Sequence, residues 1–201
     1  MQLVLDIGPA AEPDFDNYVA GPNAEAVASL RGFAAGATGE AVMYLWGEPG
    51  SGRTHLLRAA ARVNPDLIVA DDVEKLDDPA QQRLFAAINA AREGEPPVLA
   101  AGSQPPAQLA LREDLRTRLA WGLVYQLKPL TDAEKALHLR AQAARRGLRL
   151  SDDVVAYLLT RLPRDLASLN AVLEALDRYS LASKRAVTVP LVREALERKF
   201  R

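Results

Sequence analysis

Eight residues between an apolar run and a helical run combine glycines with a basic residue and a hydroxyl. The stretch from Gly47 to Thr54 fits the spacing G-x-x-x-x-G-[basic]-[ST]. The glycines let successive backbone N–H groups point inward as an anion nest, and the N-terminus of the following helix adds partial positive charge. The pattern therefore predicts a phosphate-binding loop (P-loop), with the Thr54 hydroxyl as a ligand of Mg²⁺.

The basic position of this loop is Arg53, where lysine is usual. Arginine keeps the charge and binds phosphate bidentately, but its longer, planar head reaches the β and γ oxygens differently. We expect it to clamp a diphosphate well and to serve γ-phosphate transfer poorly. The alternative is a plain glycine turn between a strand and a helix. The predicted nucleotide contacts in this stretch are Gly47, Pro49, Gly50, Ser51, Gly52, Arg53, Thr54 and His55.

Two acids end the next apolar run. Asp71 and Asp72 follow residues 67–70, as in a Walker B motif. Asp71 is predicted to hold Mg²⁺ through water, and Asp72 to act as the catalytic carboxylate that polarises an attacking water. An isolated acid pair after a strand is more often a helix cap or a solvated turn. The phosphate-binding loop beside it favours the functional interpretation.

Three further signals are weaker. Ser103 follows a strand and is predicted to sense a γ-phosphate, with a turn serine as the alternative. Arginines recur within 112–118 and within 161–164, where they usually form solvated faces. Spacing alone does not assign a role to either group.

Short apolar runs alternate with helical periodicity over the first part of the chain. Strands are predicted at 41–46, 67–70, 97–101 and 123–127, the first two buried. Helices are predicted from Asn23 to the glycines around Gly36 and Gly39, and at 53–63 and 79–92. Asn23 is predicted to cap the first helix. This alternation indicates a parallel α/β sheet.

From Thr131 onward the strand pattern disappears. Thr131 and Glu134 have the spacing of a capping box, and Ser151 and Asp165 are predicted to open further helices. Pro190 suits the first turn of a last helix. We predict three segments: a terminal segment and linker at 1–13, an α/β nucleotide-binding domain at 14–129, and a helical domain at 130–201.

Composition excludes several kinds of site. The 25 basic and 26 acidic residues nearly cancel, so strong independent binding to duplex DNA is not expected. The chain has no cysteine and two histidines, which excludes disulfides, thiolate zinc sites and histidine-rich metal sites. We find no membrane-spanning run and no signal peptide, so a cytoplasmic protein without membrane contacts is expected.

Several phrases resemble the DnaA-related AAA+ family, over essentially the whole chain. The segment 14–23, with Tyr18 and Val19, resembles the family's adenine-covering stretch, and 118–123 resembles the stretch that carries an arginine finger, which maps to Arg118. Residues 163–166 resemble the sensor-2 motif, which maps to Arg164 as a nucleotide contact. Residues 173–181 and 187–190 are similar to the lid of short regulatory members. The resemblance implies an AAA+ P-loop domain followed by an all-helical lid.

Two differences from DnaA itself shape the expectation. After Arg201 there is no helix-turn-helix DNA-binding domain, so we expect a protein that meets DnaA but does not read its binding sites. Thr54 and Asp71 lie only 17 positions apart, which leaves no room for the usual intervening strand and helix. In the AAA+ strand order 5-1-4-3-2, the missing strand is an edge strand. A four-stranded sheet with a different exposed edge should result.

The first residues resemble the hexapeptide by which bacterial proteins bind the sliding clamp of DNA polymerase III. In an extended peptide, Gln2 would reach a polar subsite, Leu3 and Leu5 would fill an apolar pocket, and Ile7 would occupy a position often held by leucine or phenylalanine. The alternative is that these residues form an edge strand or pack on the domain.

The resemblance implies a regulator of chromosomal replication initiation. Bound to ADP (or ATP) with Mg²⁺ and to the DNA-loaded clamp, it would insert Arg118 at a DnaA–ATP site and promote hydrolysis there. The alternatives are an autonomous ATPase of the helicase-loader type, driven by Asp72 and by its own oligomerisation, and a non-catalytic, nucleotide-stabilised adaptor.

Overall fold

The computed structural model describes residues 12–161, 166–183 and 186–197. The chain divides into two compact units, one spanning Pro13–Pro129 and the other described from Leu130 onward. Within the described ranges, none of the helices combines the length and the apolarity needed to cross a bilayer.

The first unit contains a four-stranded parallel sheet. Its strands are β1 (Val42–Trp46), β2 (Ile68–Ala70), β3 (Val98–Gly102) and β4 (Leu123–Gln126). They lie in the order β2-β3-β1-β4, with Val42 opposite Val98 and Met43 opposite Leu123. This is the predicted AAA+ order without its usual edge strand, and the predicted parallel α/β class is confirmed.

The prediction that β2 is buried was wrong. Ile68 and Val69 are 37% and 40% exposed, because β2 pairs only with β3 and forms an edge of the sheet. An apolar run without alternation is typical of a strand covered on both faces. Here the shortened connection from Thr54 to Asp71 leaves the run uncovered.

Helices cover both faces of the sheet. They are α1 (Ala24–Ala34), α2 (Arg53–Val63), α3 (Asp78–Ala91) and α4 (Glu113–Leu119). Because side chains alternate along β1, Met43 and Leu45 pack with α1 and α2, whereas Val42 and Tyr44 pack with α3 and α4. Burial of each leucine-sized side chain stabilises the fold by roughly 1.5–3 kcal/mol, so β1 is the centre of two cores.

Asn23 does not cap α1 through its side chain, contrary to the prediction. Its amide instead accepts a 2.8 Å hydrogen bond from the Lys128 N–H and donates a 2.9 Å bond to the Lys128 carbonyl. The residue is buried, and a buried amide needs its partners. Asn23 therefore fastens the start of α1 to the chain that leaves β4.

The second unit is helical, as predicted. Its helices are α5 (Asp132–Arg145), α6 (Asp152–Arg161), α7 (Leu166–Ser183) and α8 (Val189–Glu197). The capping box of Thr131 and Glu134 is confirmed. The predicted helix-opening Asp165 lies outside the described residues. Apolar side chains of α6, α7 and α8 form one core, which includes Val154, Leu158, Val172, Leu176, Leu191 and Val192.

Acid should weaken this helical unit through His138. Burial, foremost, lowers the pKa of His138 from 6.5, although its Nε2 contacts the Asn170 Oδ1 at 3.2 Å. The unfolded chain therefore binds a proton at a higher pH than the folded chain does, so stability is complete above about pH 6.5 and declines below it. Chemical denaturation from pH 8 to 5 should show this decline, and His138→Gln should reduce it. An equal decline in both proteins would contradict the role of His138.

Candidate nucleotide site

The glycine loop follows β1 and leads directly into α2. Gly50 and Gly52 have φ values of 85° and 90°, which L side chains rarely adopt, and α2 begins at Arg53. Alternation of left-handed and right-handed backbone favours a concave nest of N–H groups, here at a helix N-terminus. The Ser51 Oγ is buried and has no hydrogen-bond partner among the described residues. These features fit a bound phosphate.

Tyr18 packs against this loop. A Cβ at Gly52 would lie 2.5 Å from the Tyr18 ring, and the Tyr18 hydroxyl donates a 2.9 Å bond to the Ser51 carbonyl. Burial raises the pKa of Tyr18, so the hydroxyl stays a donor. The His55 ring lies 5.5 Å from the Tyr18 ring, and its Nε2 contacts the Asp14 carbonyl at 2.9 Å. The structure thus brings Tyr18 beside the predicted loop contacts, and Val19, which follows it in the chain, is half-buried.

Thr54 and Asp71 provide two adjacent oxygen ligands. The Thr54 hydroxyl donates a 2.5 Å hydrogen bond to the Asp71 Oδ2. Across the described ranges no cluster of three metal-ligating side chains occurs. Mg²⁺ fits such a sparse set, because it usually keeps several waters and binds phosphate oxygens as well as one or two protein ligands.

Arg53 points toward acids rather than into open solvent. Its Nη2 lies 3.3 Å from the Asp72 Oδ1, its Nη1 lies 4.0 Å from the Glu74 Oε1, and the side chain is 12% exposed. Asp72 has a left-handed backbone, with φ 46°, and its second oxygen accepts a 2.7 Å bond from Lys75. This hydrogen bond, foremost, raises the pKa of Lys75. The predicted catalytic carboxylate therefore lies between two cations.

Glu74 is a site residue that the sequence analysis missed. Its Oε1 accepts a 3.1 Å hydrogen bond from the backbone N–H of Ser103, the predicted γ-phosphate sensor. Its Oε2 is buried and has no hydrogen-bond partner within the described ranges. The available signal was an acid two residues after Asp72, in the short turn Val73–Lys75.

Arg118 and the glycine loop lie at opposite ends of the strands of the sheet. It precedes β4, whereas the loop follows β1, and the two strands are parallel and adjacent. Its guanidinium stacks 3.5 Å from the Trp121 ring centroid, and its Nε donates a 2.8 Å bond to the Asn89 Oδ1. Arg92 stacks on the same ring at 4.2 Å. The chain's own loop and Arg118 therefore lie at opposite ends of the parallel strands.

Comparisons with known proteins assign the family. Residues 132–196 match the family described as "Hda, lid domain". An uncharacterized protein of Haemophilus influenzae is 30% identical over 227 aligned positions, which cover 97% of this chain and 98% of that protein. The chain belongs to the Hda-like, DnaA-related family.

Solved structures show that this Hda-like chain has the AAA+ fold. Domain III of Thermotoga maritima DnaA superposes with a TM-score of 0.71 at 20% identity, covering 94% of this chain and 98% of that one. DnaA of Aquifex aeolicus bound to AMPPCP gives 0.65 at 18%, covering 85% and 65%. Thermotoga maritima RuvB, a branch migration motor, gives 0.62 at 18%, covering 92% and 71%.

Some predicted contacts of the Hda-like chain lie outside the described residues. Arg164, the predicted sensor-2 contact, is one of them. The others are the predicted clamp contacts Gln2, Leu3, Leu5 and Ile7.

Proposed function

We propose that this chain is a cytoplasmic regulator of replication initiation that acts on DnaA. Bound to ADP and to the DNA-loaded sliding clamp, it promotes hydrolysis of the ATP held by DnaA and so inactivates the initiator. The observation that carries the proposal is that Arg118 lies at the end of the strands opposite to the chain's own loop. An arginine in that place serves a neighbouring molecule's nucleotide better than its own.

The chain's own nucleotide has a structural task in this proposal. The loop 50–54 would hold the phosphates, the segment with Tyr18 would lie over the adenine, and Thr54 with Asp71 would hold Mg²⁺. When bound, the metal would neutralise part of the negative charge on the phosphate oxygens. Two DnaA structures of this fold contain AMPPCP, which supports an adenine nucleotide in this site.

Hydrolysis by the chain alone is disfavoured by the surroundings of Asp72. A carboxylate that polarises an attacking water needs a free oxygen facing it, whereas one Asp72 oxygen lies 3.3 Å from the Arg53 Nη2 and the other lies 2.7 Å from the Lys75 Nζ. Both Asp72 oxygens are therefore engaged by cations in this arrangement. This observation weighs against the autonomous ATPase and favours a nucleotide-holding role.

Arg118 has to leave its stack to act on another molecule. Release breaks the Asn89 hydrogen bond and the contact with Trp121, which stabilise the stored position by about 1 kcal/mol each. A neighbour's phosphates offer stronger, charge-assisted bonds to the same guanidinium. Transfer to a DnaA-bound triphosphate is consequently favourable, whereas release into water is not.

One set of turnover measurements separates the three candidate functions. ATP hydrolysis is followed for this protein alone, for DnaA alone, and for both with DNA-loaded clamp. We expect slow ATP turnover by this protein alone and by DnaA alone, and faster ATP turnover in the full mixture. Fast turnover by the isolated chain would show an autonomous ATPase, and binding to DnaA without acceleration would show an adaptor.

Replacing both Gln2 and Leu3 by alanine should remove clamp binding. Such a peptide binds extended, through one polar contact and alternate apolar side chains, so two lost contacts leave little affinity. The wild type should bind one site at roughly micromolar Kd, and more tightly when several sites on the ring are engaged. Surface plasmon resonance on immobilised clamp measures the change.

The control for this double variant is its melting temperature. A docking segment contributes nothing to the fold, so the variant should melt as the wild type does. Wild-type clamp affinity, or a marked fall in melting temperature, would assign the segment to the structure of the domain instead.

A further inference from the structure

We infer that Glu74 is a specificity-determining residue that makes the loop site favour a nucleoside diphosphate over a triphosphate. The inference rests on the proposed ADP-binding site and names the residue that causes its preference for ADP. It is carried by the contacts of Glu74 and not by the loop pattern.

One carboxylate oxygen of Glu74 lies beside two residues, Ser103 and Arg53, that a P-loop site directs toward a terminal phosphate. Its Oε1 accepts the Ser103 N–H at 3.1 Å and lies 4.0 Å from the Arg53 Nη1. Ser103 follows β3, and Arg53 is the basic residue of the loop. Glu74 therefore places a negative charge beside the residues that a γ-phosphate would use, although the Arg53 Nη1 itself has no hydrogen-bond partner in the described part of the chain.

The surrounding residues hold the Glu74 carboxylate in place. The Glu74 side chain is 24% exposed, and its Oε2 is buried without a hydrogen-bond partner in the described part of the chain. Gly102, the last residue of β3, backs it so closely that a Cβ there would lie 3.0 Å from the Oε2 and would collide with the Tyr44 hydroxyl. Glycine at the strand end thus lets the carboxylate lie directly against the sheet.

Electrostatics then separates the two ligands. A diphosphate needs the loop amides and Thr54, and Arg53 can remain with Asp72 and Glu74. A γ-phosphate near Ser103 and Arg53 has to lie beside the Glu74 charge or push it from the Ser103 N–H. Like charges in a partly buried site repel more strongly than in water. The triphosphate is disfavoured for that reason.

Binding constants of the full chain test this. ADP, ATP and the non-hydrolysable AMPPCP are titrated by calorimetry, with and without Mg²⁺, into the wild type, Glu74→Gln and Glu74→Asp. The wild type should prefer ADP. Glu74→Gln should bind both triphosphates about tenfold more tightly, which corresponds to about 1.4 kcal/mol, with ADP affinity nearly unchanged. Glu74→Asp keeps the charge and should keep the preference for ADP.

Glu93→Gln is the matched control. Glu93 is exposed beyond the end of α3, so its replacement removes the same charge away from the site. Its affinities should equal those of the wild type. If it raised triphosphate affinity as Glu74→Gln does, net charge would explain the effect and the inference would fail.

The remaining outcomes decide between the inference and the proposed function. Equal affinity of the wild type for ADP and AMPPCP, or equal tightening of both by Glu74→Gln, overturns the role of Glu74 and leaves the nucleotide site intact. No binding of any adenine nucleotide overturns both. If Glu74→Gln does not fold, Asp72→Asn removes a charge from the same cluster, at a left-handed position that asparagine tolerates. It should shift the preference toward AMPPCP, and an unchanged preference would overturn the inference.

Discussion

Arg118→Ala should lower the stimulation of DnaA-bound ATP hydrolysis by at least about 10³-fold, the lower range of what an arginine finger contributes. The guanidinium would stabilise charge that develops on the transferred phosphoryl group, and alanine offers nothing in its place. The affinity of the chain for its own nucleotide should not change, because Arg118 lies at the end of the strands opposite to the loop. Steady-state phosphate release with DnaA and DNA-loaded clamp measures the loss.

Stability should respond to this substitution only moderately. The variant loses the Trp121 stack and the Asn89 hydrogen bond, about 1 kcal/mol each, so its melting temperature should fall by several degrees. Arg92→Ala is the matched control, since Arg92 stacks on the same ring from an exposed position. It should keep the stimulation. Loss of stimulation in both variants would indicate a general basic surface, and loss of bound nucleotide in Arg118→Ala would indicate a role within the chain's own site.

Gly47→Ala should destabilise the first unit by about 3 kcal/mol, at the upper end of the usual cost of overpacking. A Cβ at Gly47 would collide with the Leu127 carbonyl and lie 3.0 Å from the Ser51 Oγ. The chain cannot shift aside easily, because the Leu127 N–H donates a 2.6 Å bond to the Trp46 carbonyl beside it. Thermal unfolding should show a midpoint lowered by roughly 10 °C.

Nucleotide binding should weaken in the same variant, because the collision displaces Ser51 at the start of the loop. Gly32→Ala is the control: its Cβ would meet only the Thr38 Cγ2, at an ordinary 3.5 Å, inside α1. Alanine in a helix interior is more stable than glycine by roughly 0.5–1 kcal/mol. The same substitution should therefore have opposite signs at the two positions. Equal melting temperatures for Gly47→Ala and the wild type would contradict the close approach of β1 and β4.

Local pattern in the sequence predicted the helices and strands of the sheet, whereas the order of its strands was implied by the resemblance to the AAA+ family. α2 begins at Arg53 as predicted, because a glycine loop and a helical run adjoin there, and the capping box at Thr131 and Glu134 forms from residues three apart. The short spacing from Thr54 to Asp71 predicted the missing edge strand only in combination with the strand order that the resemblance implied. The start of α2 and the capping box depend only on residues that are neighbours in the sequence, so the sequence alone predicts them.

Tertiary structure alone decided which side chains meet across those elements. Glu74 reaches Ser103 and Arg118 reaches Asn89, each across 29 residues, and Asn23 reaches Lys128 across 105. None of these pairs has a spacing that predicts contact, since each forms only after the sheet and its covering helices bring distant segments together. The exposure of β2 has the same origin, because burial depends on what covers a strand and not on its own composition. Local sequence thus determined the glycine loop, and the assembled sheet determined which charges surround it.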